Sequence, residues 1–160
     1  MNKTQEEPSY GAPLKALLDL LGERVRSASK AAPLVRKESL KSVLLLSDMF
    51  LSKAAYEWML MTFLEVIRSS SAEDPLLMQY AVVGVCKAVA ALKSDSANYS
   101  HEIVAAIDRS LKSEHSSLSV SALHGVLYLL EARSTLVFSV FFSSSFSSSS
   151  RSLNITICFC

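Results

Sequence analysis

The segment EDPLLMQYAVVGVCKAVAALK, residues 73–93, carries the strongest local signal in the chain. Asp74 is placed to accept an amide hydrogen bond at a helix start, and Pro75 suits the first helical position, where an amide hydrogen would have no helical partner. Glu73 and Asp74 put negative charge at the positive end of the helix dipole, and Lys93 lies near the opposite end. Between them Leu77, Tyr80, Ala81, Gly84, Val85, Ala88, Ala91 and Leu92 form a stripe of mostly small side chains. Small side chains let helices approach closely, so this segment is expected to be the inner helix of a pair.

The same period extends in both directions. Upstream, beyond a loop at Ser69 to Ala72, a helix is predicted from about Ala54 to Ser69, with Tyr56, Met59, Leu60, Phe63, Leu64 and Ile67 inward. Lys53 with Glu57 and Glu65 with Arg68 are spaced to pair across its turns, each pair contributing about 0.2–0.5 kcal/mol. Before it, Leu40, Val43, Leu44, Leu46 and Phe50 predict a helix from about Ser39 to Leu51, with Ser39 as its cap. The first helix carries Leu14, Leu17, Leu18, Leu21, Val25 and Ala28 on one side, with Pro13 in its opening turn and Pro33 marking the connection that follows. Downstream, Ile103, Val104, Ile107 and Leu111 predict a helix from about His101 to Ser113. Leu123, Val126, Leu127 and Leu130 predict a last one from about Val120 to Glu131, capped by Ser119. Gly125 within it costs roughly 1 kcal/mol relative to alanine, which implies a tight contact or a weak point.

The helix around Tyr56 should pair with that around Tyr80, and the helix around Ile103 with that around Leu127. The resulting unit of about 45 residues falls in the range of about 40–47 for HEAT-type repeats. The fold class is therefore all-α, built of antiparallel helical pairs of α-solenoid type.

The whole chain has 160 residues, half of them hydrophobic, and a formal net charge of +1, which gives no global attraction to nucleic acid or anionic membrane. Composition breaks after Ala132. Residues 133–160 hold ten serines, two arginines and no acid, whereas all 15 acidic residues come earlier. The domain reading is a flexible segment 1–12, a helical-repeat segment 13–132, and a Ser/Phe-rich tail 133–160 that is disordered or weakly extended. Met1 to Tyr10 lacks the apolar run of a secretory signal, and no stretch of eighteen uninterrupted apolar residues reads as a transmembrane segment. Three unevenly spaced cysteines, Cys86, Cys158 and Cys160, do not form a disulfide framework and suit a reducing compartment. The expected location is the cytoplasm, with the nucleus left open.

Three stretches carry a resemblance. SVLLLSDMF from Ser42 to Phe50, YEWMLMTFLEVIRSSSAEDPLLMQYAVVGVCKA from Tyr56 to Ala88, and ALHGVLYLLEA from Ala122 to Ala132 resemble, in order, parts of the carboxyl-terminal HEAT region of the huntingtin family. The likeness covers roughly residues 14 to 132. It is most specific at Glu73 and Asp74, at Gln79 and Tyr80, at Cys86 to Ala88, and at His124 and Gly125. It implies a section of a very large non-catalytic scaffold whose HEAT repeats bind partner proteins and connect them to intracellular vesicle transport and autophagy. From Arg133 the chain departs from the repeat pattern, and the tail reads as translated non-coding sequence appended to a fragment.

The residues themselves offer no catalytic constellation, no cofactor fingerprint and no metal-ligand spacing. Cys86 reads as a packed small hydrophobe, and His124 as a hydrogen-bonded residue of a helix contact. His101 and His115 fall at helix ends toward solvent. The one-residue separation of Cys158 and Cys160 is too short for a zinc pair, and the triplet Asn154, Ile155, Thr156 is a glycosylation acceptor only if the chain is secreted.

Two groups suit protein contacts. Arg24, Arg26, Lys30, Arg36, Lys37 and Lys41 form a basic rim interrupted by Glu23 and Glu38. It lacks the interleaved aromatic residues of a nucleic-acid site, so no specific nucleic acid is expected. Tyr56, Trp58, Met59, Met61 and Phe63 surround one helix, so a further helix must cover one side or part is exposed. The candidate interface residues are Tyr56, Trp58, Met61, Arg24, Arg26 and Lys37, toward proteins that include flanking HEAT repeats of a larger chain. The alternative is an independent helical adaptor that homodimerises through faces left unpaired at the ends.

Overall fold

The Asp74 carboxylate accepts a hydrogen bond from the Leu77 amide at 3.1 Å, with Pro75 in the first turn, so this helix starts where its sequence dictates. In the computed structural model, which describes residues 11–26, 33–50, 52–69, 74–93 and 98–132, it is one of six α-helices. They are α1 (Gly11–Arg26), α2 (Pro33–Leu46), α3 (Lys53–Ser69), α4 (Pro75–Leu92), α5 (Ser100–Leu111) and α6 (Ser116–Glu131). A short 3-10 turn, Ser47–Met49, follows α2. No strand occurs among the described residues. Glu73, Ala28, Lys30, Leu51, the loop 70–73 and the segments 1–10 and 133–160 lie outside them.

Three hairpins stack. Helices α3 and α4 pair as predicted, as do α5 and α6, and α1 with α2 supplies a third pair. The inner layer is α2, α4 and α6, with α4 packed against both neighbours, while α1 and α3 meet in the outer layer. Three pairs meet the threshold of about three repeats at which stacking buries a continuous core.

Helix α4 packs against α2, α3, α5 and α6. Its buried set runs beyond the predicted stripe to Met78, Val82, Val83, Cys86 and Val89. It is long and apolar enough by composition to cross a membrane, but here it is the buried central helix of a stack. Two glycines make the close approaches possible. A Cβ on Gly84 would lie 2.4 Å from the fully buried Phe63 ring of α3, and one on Gly125 would lie 2.8 Å from Cys86 Sγ of α4. Gly125 is thus a packing glycine, which resolves the alternative left open by its sequence.

Several local expectations change. Helix α2 begins at Pro33, not at Ser39: proline takes the first turn, and Ser39 sits buried inside the helix. Helix α6 begins at Ser116, and Ser119 does not cap it. The Ser119 hydroxyl lies 3.2 Å from Ser110 O and 3.3 Å from Leu111 O, serving the carbonyl end of α5 instead. The inward face of α6 is Leu118, Ala122, Val126 and Leu129, leaving Leu123 and Leu127 exposed.

Candidate functional site

Charged side chains stitch the hairpins together, and this determines which of them remain for a partner. Arg36 donates from Nε to the Val25 carbonyl at 2.9 Å and from Nη2 to Ser69 Oγ at 2.9 Å, tying the carboxyl end of α1 to α3. A cation near the last carbonyls of a helix also complements the negative end of its dipole. Arg68 makes a bidentate pair with Glu102 of α5, both bonds at 2.7 Å. The expected pairing of Arg68 with Glu65 gives way to this fork, because two parallel bonds to one carboxylate outmatch a solvated pair on the same helix. Hydrogen bonding to Glu102 raises the Arg68 pKa above its ordinary value, so the guanidinium stays charged. Lys53 and Glu57 do pair, at 3.6 Å.

Lys87 joins three repeats. Its ammonium pairs with Asp48 in the 3-10 turn and lies 5.7 Å from the centre of the Tyr128 ring on α6. The sequence pattern alone does not assign Lys87 this role. The available signal was a lysine in an otherwise apolar stretch of α4, which calls for a partner near its end.

The six candidate interface residues separate. Tyr56 is taken up internally: its hydroxyl donates to Ser47 O at 3.1 Å and its ring meets Phe50 edge-on with centroids 5.4 Å apart. Trp58 is half-buried over Gly22 of α1, where an added Cβ would lie 2.7 Å from its ring and 3.3 Å from Arg26 Nη2. Met61, one helical turn from Trp58, is exposed, as are Arg24 and Arg26, while Lys37 is half-buried. Trp58, Met61 and Arg26 therefore form a mixed aromatic and basic edge along α1 and α3. Met59 and Phe63 belong to the core. Of the remaining basic residues, Lys41 pairs with Glu38 at 3.8 Å.

Cys86 is fully buried, and burial pushes its thiol up to about 12. A neutral thiol walled by helices is a packing group and a poor nucleophile. His124 is exposed and stacks on Tyr128 with ring centres 5.1 Å apart, which corrects the expectation of a hydrogen-bonded contact inside the fold. The packing role at that point falls to its neighbour Gly125. His101 and His115 are exposed near the starts of α5 and α6. An open cleft of about 560 Å³ lies between α4, α5 and α6, bordered by Met78, Arg109 and Leu118. Among the described residues, no group of three or more His, Cys, Asp or Glu is placed to hold a metal ion.

Hairpins joined face to face, which offer a partner their outer edges and faces, make this a HEAT-type helical scaffold. Residues 15–137 match the family described as Huntingtin, C-terminal HEAT, and the chain belongs to that family. It is 38% identical over 106 residues to the HD protein homolog of Dictyostelium discoideum, covering 63% of this chain and 3% of that protein. It is 34% identical over 119 residues to the huntingtin of Takifugu rubripes, covering 72% of this chain and 4% of that protein. The chain thus spans a small part of the length of these relatives.

Proposed function

We propose that the chain acts as a non-catalytic section of a protein-binding scaffold in the cytoplasm, serving vesicle transport and autophagy, with flanking HEAT repeats of a larger chain among its contacts. The observation that carries this reading is the edge formed by Trp58, Met61 and Arg26, which presents an aromatic ring, a flexible apolar side chain and a guanidinium outside a completed core. Aromatic residues, methionine and arginine are the side chains enriched where proteins meet. Arg24 on α1 and Lys37 on α2 add positive charge, which favours a partner with acidic residues.

Proximity labelling by the full chain in cells tests the reading. Vesicle-transport and autophagy proteins should be enriched, and the enrichment should fall at least severalfold on combining Arg24→Glu, Arg26→Glu, Lys37→Glu and Met61→Asp. The helical signal of the purified variant should persist. Enrichment no greater than that of an unrelated helical protein, or unchanged by the four substitutions, would overturn it.

A further inference from the structure

The last two residues of α3 reach in opposite directions along the stack. Arg68 reaches forward to the third hairpin, where both of its bonds end on the Glu102 carboxylate of α5. Ser69 reaches back to the first, where its hydroxyl oxygen accepts a hydrogen bond from Arg36 Nη2 of α2 at 2.9 Å. Each joint uses one arginine, but only the forward one has an anion. Lys87, the other cation that links hairpins, also ends on a carboxylate, that of Asp48. Among the described residues Arg36 ends instead on two neutral oxygens, the Ser69 hydroxyl and the Val25 carbonyl. Its bond to Val25 fixes the guanidinium plane, and a five-donor fork that spends two N–H groups keeps others for a larger acceptor at Ser69.

The hydroxyl is also placed to be modified. Ser69 is exposed at the end of its helix. It opens the sequence SSSAED, in which Glu73 and Asp74 bring two carboxylates shortly after it. An exposed hydroxyl followed by acidic residues suits a protein kinase with a basic substrate groove, by charge complementarity.

We propose that Ser69 is a phosphorylation site and that Arg36 is the receptor for its phosphate. The kinase transfers the terminal phosphoryl group of a nucleoside triphosphate. A bond forms between Ser69 Oγ and phosphorus, the bond from phosphorus to the bridging oxygen breaks, the nucleoside diphosphate leaves, and the hydroxyl proton passes to the base of the kinase. The product places roughly two negative charges and three acceptor oxygens where a guanidinium already lies, giving the rear joint the ionic character that Glu102 gives the forward one. Two features oppose it. Glu65, one helical turn back on α3, and the carbonyl end of that helix both disfavour added negative charge. Arg36 must outweigh them, so the sign of the effect identifies the receptor. This inference goes beyond the scaffold role proposed above and does not depend on it.

Two measurements on the full chain test it. Mass-spectrometric sequencing of the chain recovered from eukaryotic cells should find phosphate on Ser69. Phosphate on Ser70 or Ser71 alone, or on none of the three, would overturn the assignment. With phosphoserine incorporated at position 69 during translation, phosphorus NMR should follow its second ionisation to about 5 or lower, against an ordinary value of about 6, because a guanidinium in contact favours the dianion. Arg36→Gln should return that ionisation to about 6 or above, with the helical signal intact. An ionisation at or above the ordinary value in the unsubstituted chain, or a lowered one that Arg36→Gln leaves in place, would show that Arg36 is not the receptor.

Discussion

Helices α4 and α6 occupy equivalent places in successive hairpins and bury the same register of residues, yet α4 packs against α2, α3, α5 and α6 whereas α6 packs against α4 and α5. The difference is not one of hydrophobicity, since Val82 and Cys86 have apolar counterparts in Leu123 and Leu127. It comes from position in the stack: α6 covers α4, and among the described residues no helix covers the face of α6 that carries Val120, Leu123 and Leu127. Burial in a repeat fold is thus a property of neighbours as much as of sequence.

The contrast breaks first at Phe63, which fills the space left by Gly84 on the walled helix. Phe63→Ala should cost about 3–5 kcal/mol in chemical denaturation, the value for removing a buried aromatic side chain. A loss near zero would mean that α4 is not the centre of the stack. Next come the glycines. Gly84→Ala should destabilise by about 1–3 kcal/mol despite alanine's better helix propensity, because the buried ring cannot withdraw. Gly125→Ala should cost less, and Cys86→Ala should restore part of that loss in a double-mutant cycle.

Alkaline pH sharpens the comparison further. The Cys86 thiol rises from an ordinary 9.0 to about 12 in the fold, so above pH 9 the unfolded chain releases a proton that the folded chain retains. Stability should therefore fall with rising pH by roughly 1.4 kcal/mol per unit between these values. Denaturation curves of Cys86→Ala should lack that component of the slope. The smallest effect belongs to the exposed face of α6: Leu127→Ser should change stability by no more than about 0.5 kcal/mol, as for other exposed positions.

The helical pairs and the start of α4 were legible because cap, proline and small-residue stripe agree on one answer. The exposed face of α6 was not, since an uncharged run from Ser116 to Leu130 offers no charged side to mark what faces outward. Serine misled at Ser119 because its hydroxyl serves an amide or a carbonyl equally well, and only tertiary neighbours choose, whereas Ser39 misled because Pro33 opens the helix earlier. Arg68 looked local with Glu65 nearby, and a carboxylate 34 residues away took it. The exposure of Met61 and of the α1 arginines was legible from pattern. The internal engagement of Tyr56 by Ser47 and Phe50 depends on a turn geometry that spacing does not reveal.

The Arg68–Glu102 fork links α3 to α5 in the outer layer, while the inner layer between α4 and α6 is joined through close backbone approach at Gly125. A column bonded firmly along one edge and ionically along the other flexes about its firm edge, much as a spine of a book allows the pages to fan. Added salt weakens exposed ion pairs more than buried apolar contacts, so electrolyte concentration would tune the pliancy of this segment without loosening its core.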